Sequence, residues 1–188
     1  MPLSPLNAPY HGALIQRLIS RHSVKSTGVP CLTVGDIVES DFINIATGAF
    51  SPLTGFMGSE DFTSVCERSR LKDSETIWTI PILFDISEDE KRQIEGASRV
   101  LLRSLASGEY LGFIEPTEIY THDKDFRVLS TFGVKDETHP GVKLVQSMGP
   151  YLLAGHVTAF EEALVSDPLS YPAGVRKQLE KLKLTKVA

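Results

Sequence analysis

The chain has 188 residues, a net charge of −5, 41% hydrophobic and 23% charged residues, the balance of a globular domain able to bury a sizeable core. Its longest apolar runs fall far short of the roughly 20 residues that a membrane-spanning helix needs, and the opening "MPLSPLNAPYHG" has neither the basic nor the apolar region of a secretory leader. An acidic balance is also a poor match for nucleic acid, whose binding rests on neutralising phosphates.

Residues 1–10 hold three prolines and suggest an extended arm. In "ALIQRLIS", Leu14, Ile15, Leu18 and Ile19 share one helical face, which predicts a short helix. "PCLTVG" reads as a strand. "SDFINIATG" predicts a helix with Ser40 as N-cap and Gly48 just past its end; "SEDFTSVCER" predicts another with Ser59 as N-cap and Phe62, Val65 and Cys66 inward. Between them lies "GAFSPLTGFM". Gly48 is expected to end the helix in a left-handed conformation, Pro52 to stiffen the chain and Gly55 to let it bend. Phe50, Leu53, Phe56 and Met57 then anchor a packed corner whose purpose is architectural.

"TIWTIPILFDI" is rich in strand formers, with Pro81 placing it at an edge or bulge. "SEDEKRQIEG" opens with a capping box, Ser87 to Glu90. Three strands are predicted next, "RVLLRSL", "EYLGFIE" and "TEIYTHD", the first two joined by a hairpin through "ASG". "DKDFRVLSTFG" predicts a helix with Phe126, Leu129 and Phe132 inward and Gly133 at its end, and "YLLAGHVTAF" a last strand. Pro172 suits the first turn of a helix carrying Val175, Leu179 and Leu182 as one stripe. Residues 176–188 hold five basic residues against Glu180, leaving 14 basic and 23 acidic residues elsewhere: a basic tail on an acidic body. Without regular β-α-β alternation a doubly wound fold is not expected. The expectation is α+β, a small β-barrel (pseudo-barrel) or curled sheet with short helices around it.

Neither a G-x-x-x-x-G-K-[ST] cradle, a G-x-G-x-x-G fingerprint nor a G-x-S-x-G elbow occurs. The five histidines show no metal-ligand spacing, and Cys31 and Cys66 are isolated, as reduced thiols of a cytoplasmic protein would be. Three side chains stand out as ligand or interface candidates. His139, before Pro140 and Gly141, is either an anion-binding imidazole or the brace of a turn. His11 has the same two readings. Arg70 could hold an anion bidentately or brace a loop against an acidic neighbour.

"ATGAFSPLTGFMGSEDFTSV", "RLKD", "IWTIPI", "HPGV", "YLLAG" and "YPAGVRK" follow one another in an order that resembles the N-terminal PUA-like domain of the ATP sulfurylase (sulfate adenylyltransferase) family. "PYHGALIQRL" is similar to that family's opening "PHGG" segment, with Ala13 in place of the second glycine. The resemblance spans residues 9–177. It implies a PUA-like domain over 1–168 and a basic segment, 169–188, that leads in the family to a catalytic domain. It also implies a role in sulfate activation, in which the full enzyme converts ATP and sulfate, with magnesium, to adenylyl sulfate and pyrophosphate. The family's catalytic signature, Q-x-R-N-P-x-H-x-A-H, has no counterpart here: no Arg-Asn pair occurs, and the only asparagines are Asn7 and Asn44. No catalytic, cofactor-binding or metal residue can therefore be carried over. The resemblance implies a non-catalytic module whose partners are an ATP sulfurylase catalytic domain, in cis or in trans, or further copies of itself. The alternative is a free-standing binding module for RNA or a small anion.

Overall fold

The structure is a computed structural model that describes residues 14–184 except 25, 26, 73 and 166. Among the described residues, seven strands and six α-helices are formed: β1 Leu18–Ile19, β2 Cys31–Val34, α1 Asp36–Thr47, β3 Gly55–Phe56, α2 Ser59–Arg68, β4 Asp85–Ile86, α3 Glu88–Gln93, β5 Val100–Ser104, β6 Tyr110–Thr121, α4 Lys124–Phe132, α5 Pro140–Ser147, β7 Tyr151–Phe160 and α6 Pro172–Lys181. The strand order is β1-β7-β6-β5-β2, with β3 and β4 also pairing with β7. The sheet is mixed: β1 runs parallel to β7 and β2 to β5, whereas β5–β6 and β4–β7 are antiparallel. This is an α+β architecture. The expected barrel is not seen, because the sheet does not close: β1 and β2 stand at its two ends.

The chain divides into two compact units interleaved in sequence. Unit 1 comprises Met1–Gly55, Val100–Ile114 and Val157–Ala188; unit 2 comprises Phe56–Arg99 and Glu115–His156. Strands β6 and β7 each pass from one unit into the other. Leu101, Phe113 and Phe160 centre a core in unit 1, and Val128, Val142 and Val145 centre one in unit 2.

Local chemistry explains most elements. Helix α1 begins at an extended Gly35, with Asp36 and Glu39 in its first turn, where the helix dipole favours acids. Ser40, expected as its N-cap, lies inside the helix, because the acids before it support an earlier start. The same correction applies to α2, where Gly58 takes the cap position expected for Ser59. Phe62 and Val65 of α2 are buried as expected, and Cys66 is half-buried. In α3 the predicted capping box is complete: Ser87 Oγ accepts from the Glu90 amide, and the Glu90 carboxylate accepts from the Ser87 amide at 2.8 Å.

Three expectations differ in the structure, the first of them through distant backbone pairing. Residues 14–17 form no helix. The Arg17 amide donates to Ala46 O, its carbonyl accepts from the Ala159 amide, and Leu18–Ile19 pair with Ala159–Phe160. Of "TIWTIPILFDI", only Asp85–Ile86 is strand, and Ile77 and Ile80 are exposed. "EYLGFIE" and "TEIYTHD" are one strand, β6, which runs through Pro116. In α4 Arg127 and Val128 are buried; of the residues expected inward, Phe126 and Phe132 are half-buried and pack on Phe62 and the Val128 cluster, whereas Leu129 is exposed. The β5–β6 hairpin, strand β7 and the Pro172 start of α6 are as predicted.

Candidate functional site

The corner "GAFSPLTGFM" is packed as its composition suggests. Gly48 has φ 89°, and a Cβ there would lie 2.3 Å from Ile15 O, so both conformation and space call for glycine. Ser51 Oγ, one of the few polar groups available, accepts from the Ile15 amide at 3.0 Å and donates to Gly48 O at 2.8 Å. The Ser51–Pro52 bond is cis. Gly55 opens β3, Leu53, Phe56 and Met57 are buried, and Phe56 packs on Phe84 with ring centroids 5.3 Å apart. The Ser51 hydroxyl is thus spent on its own chain.

In unit 2, Arg70 lies after α2. Its Nε approaches Glu75 at 3.4 Å, and its carbonyl accepts from Ser64 Oγ. His139 is the N-cap of α5: its Nδ1 accepts from the Gly141 amide at 3.2 Å, Pro140 occupies the first helical turn, and its ring stands 4.9 Å from Phe132. Both geometries brace turns. His11 lies outside the described residues.

Two features escaped sequence reading. The first is a buried polar group in unit 2. Arg127, only 7% exposed, donates through Nη1 to Met148 Sδ at 2.7 Å, and its Nε has no partner. Beside it, neither ring nitrogen of His122 finds a partner. Burial, then Arg127 and Lys124, pushes the imidazole down to about 4, so it is neutral at physiological pH. Burial likewise lifts the Cys66 thiol to about 11 and raises the Tyr120 phenol, whose hydroxyl donates to Met57 O. The thiol and the phenol are thus held protonated, the opposite of an activated nucleophile. An amphipathic reading of α4 gave no sign of the buried Arg127, because it sits among apolar residues whose spacing favoured Phe126, Leu129 and Phe132.

The second is a cavity in unit 1 of about 500 Å³. Leu101 and Phe160, each 2% exposed, line it with Val24 and Tyr110, and Arg21, His22 and Glu162 supply its charged and polar groups. It brings together residues from the turn after β1, strands β5, β6 and β7, and the turn after β7, so no local sequence pattern could reveal it. A shallower groove follows α2, where Lys72 pairs with Glu60 and Arg68 donates to Ser64 Oγ. Among the described residues, no group of three or more His, Cys, Asp or Glu is placed to hold a metal ion. No described helix is long and apolar enough to cross a membrane.

Comparison with known proteins agrees with this architecture. The chain is 39% identical over 149 residues to the sulfate adenylyltransferase of Cenarchaeum symbiosum, covering 79% of this chain and 38% of that protein. It is 36% identical to the sulfate adenylyltransferase of Pyrococcus abyssi, covering 84% and 41%, and 33% identical to that of Deinococcus radiodurans, covering 93% and 46%. The chain thus spans less than half the length of these curated relatives. Among solved structures, a hexameric APS kinase from Thiobacillus denitrificans superposes with a TM-score of 0.63 at 22% identity, over 93% of this chain and 31% of that one, a likeness of fold. The family profile described as a PUA-like domain matches residues 7–162. The chain belongs to the PUA-like domain family, in the form related to sulfate adenylyltransferases.

Proposed function

We propose that this chain is a non-catalytic module of the ATP sulfurylase family, serving sulfate activation by shaping and docking a catalytic domain. The observation that carries this reading is partial coverage: relatives named sulfate adenylyltransferase match it over 38–46% of their own length. The reaction of the full enzyme, ATP and sulfate to adenylyl sulfate and pyrophosphate, would then belong to the remainder. The described residues do not suit a magnesium nucleotide. Joining two anions calls for converging donors and cations, whereas Arg70 and His139 brace their own turns and no metal cluster is present among the described residues.

The PUA-like domain would occupy residues 1–168, and the segment 169–188 would carry the docking helix. Helix α6 buries none of its residues; Val175 and Leu182 are 40% and 56% exposed. Such a stripe is marginal in water without a neighbour. A catalytic domain or another copy of the chain would supply one, in a cytoplasmic setting. The assay is pyrophosphate release from ATP, sulfate and magnesium: the chain alone should match a heat-treated control, and turnover that survives purification would refute the reading. Docking is tested by amide exchange, fast through Leu179–Leu182 in the chain alone and slowed by adding the catalytic portion of a sulfate adenylyltransferase.

A second reading, a binding module for RNA or a small anion, draws support from the unit 1 cavity. That cavity has small-molecule dimensions, which favours the small anion over RNA.

A further inference from the structure

We propose that the unit 1 cavity binds a small planar aromatic anion, with its ring against Tyr110 and Phe160 and its charge at Arg21. This rests on the second reading above and is independent of the sulfurylase assignment. At about 500 Å³ the cavity falls within the range of about 300–1,000 Å³ typical of small-molecule sites. Its floor is apolar and rigid, because Leu101 and Phe160 belong to the core cluster around Phe113. Phe113 and Phe160 stand edge to face at 6.3 Å, fixing the Phe160 ring. A flat hydrocarbon body would therefore meet an ordered surface.

The charges around the cavity are not equivalent. Glu162 is already engaged: its carboxylate accepts from Ser20 Oγ at 2.9 Å and from the Arg21 amide at 2.9 and 3.1 Å. These bonds to the ionised form hold its carboxyl below the usual range. Arg21 is less occupied. Its guanidinium lies over the Tyr110 ring, 5.0 Å from the centroid, and its nearest carboxylate is Glu109 at 3.7 Å. Both members of that pair are largely exposed, 45% and 74%, so water and salt screen it. The cavity therefore offers the weakly paired Arg21 guanidinium and His22 as donors beside an aromatic and aliphatic surface, while the ionised Glu162 carboxylate is turned to Ser20 and the Arg21 amide. A cation would meet Arg21, and a neutral hydrocarbon would leave its donors unused. A planar ring with one carboxylate, sulfonate or phosphate satisfies both halves, the anion taking the guanidinium bidentately while the ring packs on the floor.

Naphthoate is the probe, and naphthamide, equal in shape but uncharged, its control. Each is titrated into the isotope-labelled chain while amide resonances are followed. Naphthoate should shift Arg21, Val24, Leu101 and Tyr110 saturably, and naphthamide should bind about tenfold more weakly, the worth of one charge-assisted contact. Arg21→Gln should bring naphthoate to the naphthamide level while leaving naphthamide unchanged, and Tyr110→Leu should weaken both. An unaltered spectrum away from the cavity verifies that each variant is folded. Absence of saturable shifts, equal affinity for the two probes, or shifts confined to unit 2 would overturn the proposal.

Discussion

The two units bury ionisable groups of opposite kind. Unit 1 holds a carboxyl, Asp41 on α1, whose burial raises it to about 6; unit 2 holds an imidazole, His122, whose burial and cationic neighbours lower it to about 4. One physical cause, the loss of hydration of the charged form, acts on both, yet the consequences for pH differ in sign. A raised carboxyl pKa means that the folded state keeps its proton where the unfolded chain has lost it. Its contribution is intact below about 3.8 and is lost as pH rises through about 6. A lowered imidazole pKa means that the unfolded chain takes up a proton first. Its contribution is intact above about 6.5 and is lost as pH falls toward about 4. Acidification should therefore relieve unit 1 and burden unit 2.

The largest contrast between the units should come from close approach of backbone. Gly112 on β6, in unit 1, has φ 153°, and a Cβ there would lie 2.2 Å from Thr158 O and 2.7 Å from Ala159 Cα. Gly112→Ala should lower the unfolding free energy by about 3 kcal/mol or more, because only backbone could yield. Gly48→Val should cost at least about 1–3 kcal/mol by its conformation alone. Gly133, at the end of α4 in unit 2, has φ 71° but open space around it, so Gly133→Ala should cost only about 1–2 kcal/mol. Equal urea midpoints for the variants at Gly112 and Gly133 would break the contrast.

A smaller effect is expected at Arg127, with the opposite sign. The Arg127 guanidinium is buried with a thioether as its side-chain hydrogen-bond partner among the described residues, and its desolvation outweighs the attraction of nearby Asp85. Replacement by the similarly sized Met should be neutral or should stabilise by about 1–3 kcal/mol. A marked loss of stability in Arg127→Met would mean that the charge is used.

The smallest and most diagnostic effect is the pH response. Between pH 7 and pH 5, amide protection across Lys124–Phe132 should fall, whereas protection across Asp36–Thr47 should hold or rise. His122→Gln should flatten the first trend and Asp41→Asn the second. Parallel changes in both helices would show that neither group governs its own surroundings.

Legibility in the sequence followed the range of the interactions. The Ser87–Glu90 capping box, the Gly48 helix end, the turn braced by His139 and the β5–β6 hairpin each depend on residues within a few positions of one another, and each stands as its local pattern suggests, although the helix α5 that follows His139 was not expected. The Pro172 start of α6 was legible for the same reason. Leu14–Ile19 kept a helical spacing and still became a loop and a strand, because pairing with Ala159–Phe160 outweighed a weak local preference.

Sequence alone thus determined the class of this protein: an acidic α+β chain with a PUA-like ordering of motifs, no Arg-Asn catalytic pair and a basic, striped C-terminal segment. Tertiary structure alone decided which side chains meet. Arg21, Leu101, Tyr110 and Phe160 lie up to 139 positions apart and share a cavity only because β5, β6 and β7 are sheet neighbours. Likewise, Arg127 and Val128 rather than Leu129 turn inward because α4 packs against its neighbours as a whole, and the rotation that buries the most surface sets the fate of every residue on the helix.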